Sequence, residues 1–293
     1  MITRACMKTL LGLIGSPRKR GNSELLVKEI HRQLPDGWEL KLLRLPELDI
    51  RPCRGCYQCL FGEMKCVLKD DFGTALEALV HADAYVVATP TYLLGANASL
   101  KRFLDRGLSF YRHMDELWGK PAVGIVVAGY PGLEGYSKLM VESFIAFTMA
   151  QNHGTEVVYA AFPGEVFLQE AGKEAAKRLS EALIAEKPER CDPGSGSPCE
   201  LCGGDTFRFL DDKRLKCMLC SNEGTYSWFE GRLQLKIDRP EHSLFLSYED
   251  AKNHLKFLQE MKETFLSQRK KLKTLTDGYA DDGDWIRPRE TKN

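Results

Sequence analysis

The sequence predicts an α/β fold: a doubly wound sheet of five parallel strands in the order 2-1-3-4-5, followed by a small cysteine module and a C-terminal helix. Three observations predict it. From Thr9 to Lys187, apolar runs of strand length alternate with amphipathic segments of helix length, the signature of βα units around a parallel sheet. Two of the runs, AYVVAT (84–89) and AVGIVVA (122–128), are nearly all apolar, as strands covered on both faces must be. At KPERCDPGSGSPC (187–199) the composition turns to Pro, Gly and Ser, which reads as a linker.

In chain order, TLLGLI (9–14) reads as the first strand, NSELLVKEIHRQL (22–34) as a helix and WELKLLRL (38–45) as the second strand. A helix over 70–82 precedes the third strand at 84–89, which Pro90 is expected to end because it lacks the N–H a ladder needs. Helices at about 97–110 and 135–151 flank the fourth strand, 122–128. The fifth, TEVVYAAF (155–162), leads into a helix whose apolar positions are Leu168, Ala171, Ala175, Leu179, Ala182 and Leu183. The cysteine module runs to about residue 238. Ser247 then caps a last helix with Asp250 three residues on, and Leu255, Leu258, Met261 and Phe265 share one face. Its lysine-rich end, 270 to 273, reads as a solvated face, and the tail is expected to be mobile unless Trp285 and Ile286 dock. The expected divisions are 1–187, 188–240 and 241–293, and this arrangement is flavodoxin-like.

The chain's 293 residues carry 41 basic and 41 acidic side chains. Zero net charge with no basic stripe argues against nucleic acid or an anionic membrane as partner. No apolar run reaches spanning length and no cleavable leader is evident, so a cytoplasmic location is expected. In that reducing setting the ten cysteines point to metal or redox chemistry rather than a disulfide framework. Eight fall into two clusters, leaving Cys6 and Cys191 over, with Cys191 a bystander in the linker. The six histidines form no ligand-like pair, and Asp105–Arg106 reads as stabilising a helix end.

Three loops follow the carboxyl ends of strands, where doubly wound folds bind ligands. GSPRKRGNS (15–23) aims backbone N–H groups and a helix N-terminus above the first strand, with Ser16, Asn22 and Ser23 as short donors and Arg18 as charge, suited to a phosphate. It is neither a triphosphate loop nor G-x-G-x-x-G. TPTYLLGANASLKRFLDR (89–106) offers Tyr92, Leu93 and Leu94 to a flat ring, and AGYPGLEG (128–135) carries three glycines that permit close backbone approach. A phosphate site beside an aromatic-lined slot fits FMN.

Cys53, Cys56, Cys59 and Cys66 form C-x2-C-x2-C-x6-C in a loop leaving the second strand, with Gly55 and Gly62 giving it room to turn. A compact C-x2-C-x2-C segment wraps three corners of a cubane and a later thiolate closes it, as in [4Fe–4S] proteins. Zinc or a bare set of reactive thiols are the alternatives. Cys199, Cys202, Cys217 and Cys220 form C-x2-C-x14-C-x2-C, two knuckles suited to a tetrahedral ion and ribbon-like in spacing. Zinc in a structural role leads; a rubredoxin-type iron would use the same geometry, but CMLCS lacks the Pro and Gly usual there.

Together the phosphate loop, PTYLLGANASLKRFLDR and the glycine loop resemble the NAD(P)H-dependent FMN reductase family, and the four-cysteine run resembles its iron–sulfur flavoprotein branch, over about residues 8–187. The resemblance implies that Ser16, Arg18, Asn22 and Ser23 hold the FMN phosphate. It implies that Pro90, Thr91, Tyr92, Leu93 and Gly95 line the isoalloxazine, with Ala128, Gly129 and Gly135 on the third loop. It further implies a [4Fe–4S] cluster on Cys53, Cys56, Cys59 and Cys66, and a homodimer or higher homo-oligomer with FMN near the interface. The expected activity is an FMN-dependent oxidoreductase passing electrons between cluster and FMN, with ferredoxin or NAD(P)H as donor. Two alternatives stand beside it: an NAD(P)H-dependent FMN or quinone reductase with structural cysteines, and a ribbon-based interaction protein whose flavin domain senses redox state.

Overall fold

The computed structural model describes residues 7–186, 197–241, 243–280, 282–284 and 286. Cys6, Cys191, Trp285 and most of the linker lie outside them. The elements in chain order are β1 (Lys8–Ile14), α1 (Asn22–Gln33), β2 (Trp38–Arg44), α2 (Phe72–His81), β3 (Ala84–Tyr92), β4 (Gly95–Ala96), α3 (Ala98–Leu104), α4 (Met114–Leu117), β5 (Pro121–Ala128), α5 (Ser137–Phe147), β6 (Gln151–Tyr159) and α6 (Glu170–Ile184). After the linker come β7 (Phe207–Phe209), β8 (Arg214–Cys217), β9 (Glu223–Phe229), β10 (Arg232–Ile237) and α7 (Tyr248–Asp277).

The main sheet is parallel, β2-β1-β3-β5-β6, which is the predicted 2-1-3-4-5 order with the two-residue β4 folded back on β3. Alternation along the strands builds a core on each face. Leu10, Ile14, Val86, Ala88 and Ile125 pack with Leu26, Ile30, Leu179 and Leu183 of α1 and α6. On the other face Leu11, Leu13, Tyr85 and Val87 pack with Leu79, Phe103 and Phe144 of α2, α3 and α5. Both faces of the inner strands β1, β3 and β5 are covered, so their central residues are apolar, whereas the edge strands β2 and β6 carry polar residues.

Pro90 does not end β3, which runs on to Tyr92 with Pro90 in register with Val127. Ala88 turns its carbonyl toward β1, accepting from Gly15 N, so Pro90, two residues on, faces the same side after β1 has ended at Ile14. Its missing N–H therefore costs no ladder bond. β6 begins and ends earlier than the predicted 155–162. The helix expected over 97–110 stops at Leu104, and Gly107–His113 form a 3-10 turn instead. α5 is likewise shorter than the predicted 135–151.

The second sheet, β10-β9-β8-β7, is antiparallel and packs Leu215 and Ile237 around its cysteines. It meets α5 through Lys138, which bonds Asp205 and lies 3.4 Å from Glu142. α7 opens as predicted, with Ser247 Oγ accepting from Asp250 N at 3.1 Å. Ala251, Leu255 and Leu258 pack on the main core, whereas Met261 and Phe265, expected on the same buried face, are exposed. Ile286 is also exposed.

Candidate functional site

The phosphate loop lies between β1 and α1. The N–H groups of the first turn of α1, from Asn22, Ser23 and Glu24, have no intrahelical acceptor, and Ser16, Asn22 and Ser23 are buried around them. Arg18 is exposed on the rim. Ser16 Oγ accepts from Arg18 N at 3.3 Å. Asn22 has its side-chain amide engaged: Nδ2 donates to Phe162 O (2.9 Å) and Oδ1 accepts from Gly164 N (2.7 Å), tying the loop to the segment after β6. Asn22 keeps its backbone N–H and the second hydrogen of Nδ2 for an anion.

Two residues not anticipated from sequence hold this loop. Arg44, at the carboxyl end of β2, donates to Ser16 O (2.7 Å) and Arg18 O (3.0 Å) and pairs with Glu24 at 2.6 Å. Glu24 also accepts from Arg20 N at 2.7 Å. Burial would raise the Glu24 carboxyl, but Lys28, the Arg20 N–H and Arg44 outweigh it and hold it down at about 2. The local signals were an acid in the first turn of a helix and an arginine at the carboxyl end of a strand.

The two ring loops form one wall. Leu93 and Leu94 take left-handed backbone (φ 50° and 64°) at the tip between β3 and β4, which leaves Leu93 98% exposed. Tyr136 N donates to Leu94 O at 2.8 Å, and Thr91 Oγ1 donates to Ser137 Oγ at 2.9 Å. Gly135 has φ 54°, and a Cβ there would lie 2.2 Å from Leu94 O, so glycine is required for the loops to meet. Pro90 and Thr91 are half-buried, Gly95 and Ala128 buried, and Tyr92, Tyr130 and Tyr136 exposed. A Cβ on Gly129 would meet nothing within 4 Å; the space beside it is open to a ligand.

The cysteine loop spans residues 48–71 and is closed at its base. Asp49 N and Asp71 Oδ2 are 2.8 Å apart, and Asp71 N donates to Asp49 O. Asp70 accepts from Arg51 N (2.9 Å) and from Arg106 (2.7 Å), an ion pair whose side chains are 0% and 1% exposed. Sequence assigned Arg106 to a helix end. Instead it is buried, its guanidinium 4.3 Å over the Phe72 ring, and nothing local marks a partner 36 residues away. Gly55 and Gly62 take positive φ as the turns require. Farther out, Arg112 donates to Glu63 O, and Gln259 of α7 donates to Leu60 O at 2.9 Å.

Cys53, Cys56, Cys59 and Cys66 line one small pocket with Arg106, Leu108 and Ser109. Burial first, and then the facing thiols Cys66 and Cys53, raise the Cys59 thiol against the pull of Ser109. The pocket lies at the far end of α3 from the ring loops, seven residues or about 10 Å of helix.

The ribbon cysteines are tighter. Among the described residues, only Cys199, Cys202, Cys217 and Cys220 bring three or more metal-ligating atoms within 4.8 Å of one another. Cys199 and Cys220 sulfurs are 3.9 Å apart and Cys202 and Cys217 3.5 Å. Left-handed Gly203 (φ 76°) and Ser221 (φ 60°) close the two knuckles. Hydrogen bonds from its three neighbours push the Cys199 thiol down, and Cys199 in turn pushes Cys202 up. A shared cation removes that competition for protons.

A family model described as NADPH-dependent FMN reductase matches residues 8–163. The chain belongs to that family. Within it, the chain is 31% identical over 183 residues to an iron-sulfur flavoprotein of Archaeoglobus fulgidus, covering 60% of this chain and 78% of that one. It is 30% identical over 187 residues to an iron-sulfur flavoprotein of Methanocaldococcus jannaschii, covering 59% and 94%. In fold, it superposes on a flavone reductase with a TM-score of 0.71 at 18% identity, covering 96% of this chain and 100% of that one. The ribbon and α7 are thus largely within the shared architecture.

As a member of the FMN reductase family the chain is a flavin-linked oxidoreductase. Its residues fit the groups implied. The open space beside Gly129 and the unpartnered first-turn N–H groups of α1 suit a ring and a phosphate. Four sulfurs about 2.3 Å from one ion sit roughly 3.8 Å apart, as in the ribbon. No three of the sulfurs in the 53–66 loop share the 4.8 Å spacing; that suits a cubane, where each thiolate binds a different iron, better than one tetrahedral ion. Among the described residues no helix is long and apolar enough to cross a membrane.

Proposed function

We propose that this protein is an FMN-dependent electron-transfer oxidoreductase of the iron–sulfur flavoprotein type, passing electrons between a [4Fe–4S] cluster on Cys53, Cys56, Cys59 and Cys66 and FMN. The observation that carries the reading is the pairing of a small four-thiol pocket with the ring loops across one short helix. When bound, FMN supplies hydride or single-electron chemistry and the cluster single electrons. The chain supplies placement. Ser16, Ser23, the Asn22 N–H and Arg18 hold the phosphate, Pro90 to Gly95 and Ala128 to Gly135 face the ring, and Asp70 with Arg106 fixes the thiol loop against α3. Cys199, Cys202, Cys217 and Cys220 hold zinc in a structural role. Ferredoxin or a similar one-electron donor feeds the thiol pocket. The exposed Tyr92, Leu93, Leu94 and Tyr130 suit cover by a second copy in a homo-oligomer.

A second reading rests on the family description: direct reduction by NADPH, with the loop cysteines structural. The two separate in one experiment on anaerobically purified full-length protein and its Cys56→Ser variant. The first reading expects an iron–sulfur absorbance beside the flavin bands, and a variant that retains FMN but loses iron and reduction by ferredoxin together. A variant reduced by ferredoxin as fast as the parent, or a parent turned over by NADPH alone, establishes the second.

A further inference from the structure

Arg106 and Ser109 have polar atoms that the rest of the chain does not use. Both residues are nearly fully buried. Arg106 spends its two terminal nitrogens on Asp70 and Arg51 O, which leaves Nε–H with no hydrogen-bond partner. Ser109 Oγ is buried and equally without one. Ser109 N donates to Arg106 O at 3.0 Å, so the two side chains stand three residues apart on one 3-10 turn. Both line the pocket of Cys53, Cys56, Cys59 and Cys66. Arg106 lies against Cys66 and Ser109 against Cys59.

A buried N–H or O–H with no well-formed hydrogen bond is costly, and two of them facing one pocket imply an acceptor inside that pocket, which its four sulfurs line. Thiolate and sulfide sulfurs are such acceptors, and they become better ones as negative charge accumulates on them. We infer that Arg106 and Ser109 are positioning residues that donate hydrogen bonds to the sulfurs of an iron–sulfur cluster held at 53–66 and raise its reduction potential. This rests on the cluster reading above. The donors favour the reduced, more negative state, and the fixed positive charge of Arg106 acts in the same direction. Asp70 neutralises part of that charge, so the neutral hydroxyl of Ser109 offers the cleaner measurement.

The experiment is a redox titration of anaerobically purified full-length protein, followed by electron paramagnetic resonance, on the parent, Ser109→Ala and Arg106→Lys. Ser109→Ala leaves the Arg106–Asp70 pair untouched. It is expected to keep the parent's iron and sulfide content and its FMN midpoint. At the potential where the parent cluster is half reduced, its reduced-to-oxidised ratio should fall roughly three- to tenfold, tenfold being 59 mV for a one-electron couple. Arg106→Lys keeps a cation near Asp70 but loses Nε–H, and should shift the same way. Should that variant not fold, Ser109→Ala decides alone. An iron-loaded Ser109→Ala protein with the parent's cluster midpoint overturns the inference while leaving the cluster reading intact. A parent that holds no iron and sulfide after anaerobic reconstitution overturns both.

Discussion

Two sets of four cysteines in this chain are built on opposite principles. In the ribbon the sulfurs are 3.5 and 3.9 Å apart in their cross-knuckle pairs, and the thiols themselves form the centre of a small core. All four thiols lie in one short module. In the 53–66 loop two of the thiols are exposed and two half-exposed, and the loop is held by Arg106 on its own Asp70 and by Arg112 and Gln259, all three from elsewhere in the chain. One site is organised within its own module and the other by the protein around it. A site of the first kind fixes a module; a site of the second kind is open to an electron donor and can be tuned by its surroundings.

The largest expected effect breaks the ribbon. Cys217→Ser removes a fully buried ligand, and structural zinc contributes on the order of 10 kcal/mol to modules of this size. Limited proteolysis of the full chain should then cut within 197–241 while the flavin domain keeps its FMN. Retained zinc and a protected ribbon would show that this core does not depend on its ion.

Breaking the other site takes a different residue. Asp70→Asn leaves Arg106 buried without its counter-charge, a loss of roughly 3–5 kcal/mol where one partner of a buried pair is removed. Denaturant unfolding should register that, and iron should be lost with zinc retained. A midpoint unchanged from the parent would mean the pair does not clamp the loop.

These differences set what could be read in advance. The five sheet strands and both cysteine spacings were legible because each is a local pattern: apolar runs, knuckles, a glycine turn after a strand. Arg106 was misread because its partner is Asp70, on another element, and a sequence neighbour such as Asp105 offers a simpler role. The tie of the Asn22 amide to Phe162 O and Gly164 N spans about 140 residues and has no local signal in the sequence. The periodicity of α7 gave its apolar face but not the point at which packing stops, which is set by where the main core ends. Pro90 was read from a rule about ladders, and the rule does not apply where the neighbouring strand has already ended.

Acid sharpens the comparison through the phosphate loop, which shares β2 with the cysteine loop. Glu24 is held at about 2 against an ordinary value near 4.5, so the folded state binds its proton more weakly than the unfolded chain. Its contribution is complete above about pH 4.5 and is lost as pH falls from there toward 2, on the order of 3 kcal/mol in all. Asp70, lowered by Arg106 and two backbone N–H groups despite its burial, adds to the loss in the same direction below the ordinary aspartate range. Glu24→Gln should flatten the pH dependence of FMN-domain unfolding in that window. An unchanged slope would remove Glu24 from the scaffold.

The smallest effect tests the most distant support. Gln259 reaches from α7 to Leu60 O at 2.9 Å, next to Lys262, whose ammonium lies 4.6 Å over the Phe61 ring. This is how a helix almost 200 residues downstream steadies the middle of the cysteine loop. One such hydrogen bond contributes about 1 kcal/mol, so Gln259→Ala should leave the fold and FMN affinity unchanged. It should let the loop open more often, and iron release to a chelator should quicken by roughly fivefold on that energy. Zinc release supplies the control, because the four ribbon sulfurs come together within their own module. If iron and zinc leave faster by the same factor, α7 stabilises the whole C-terminal half and the two sites are not independently held; if only iron does, the loop is held from outside and the ribbon from within.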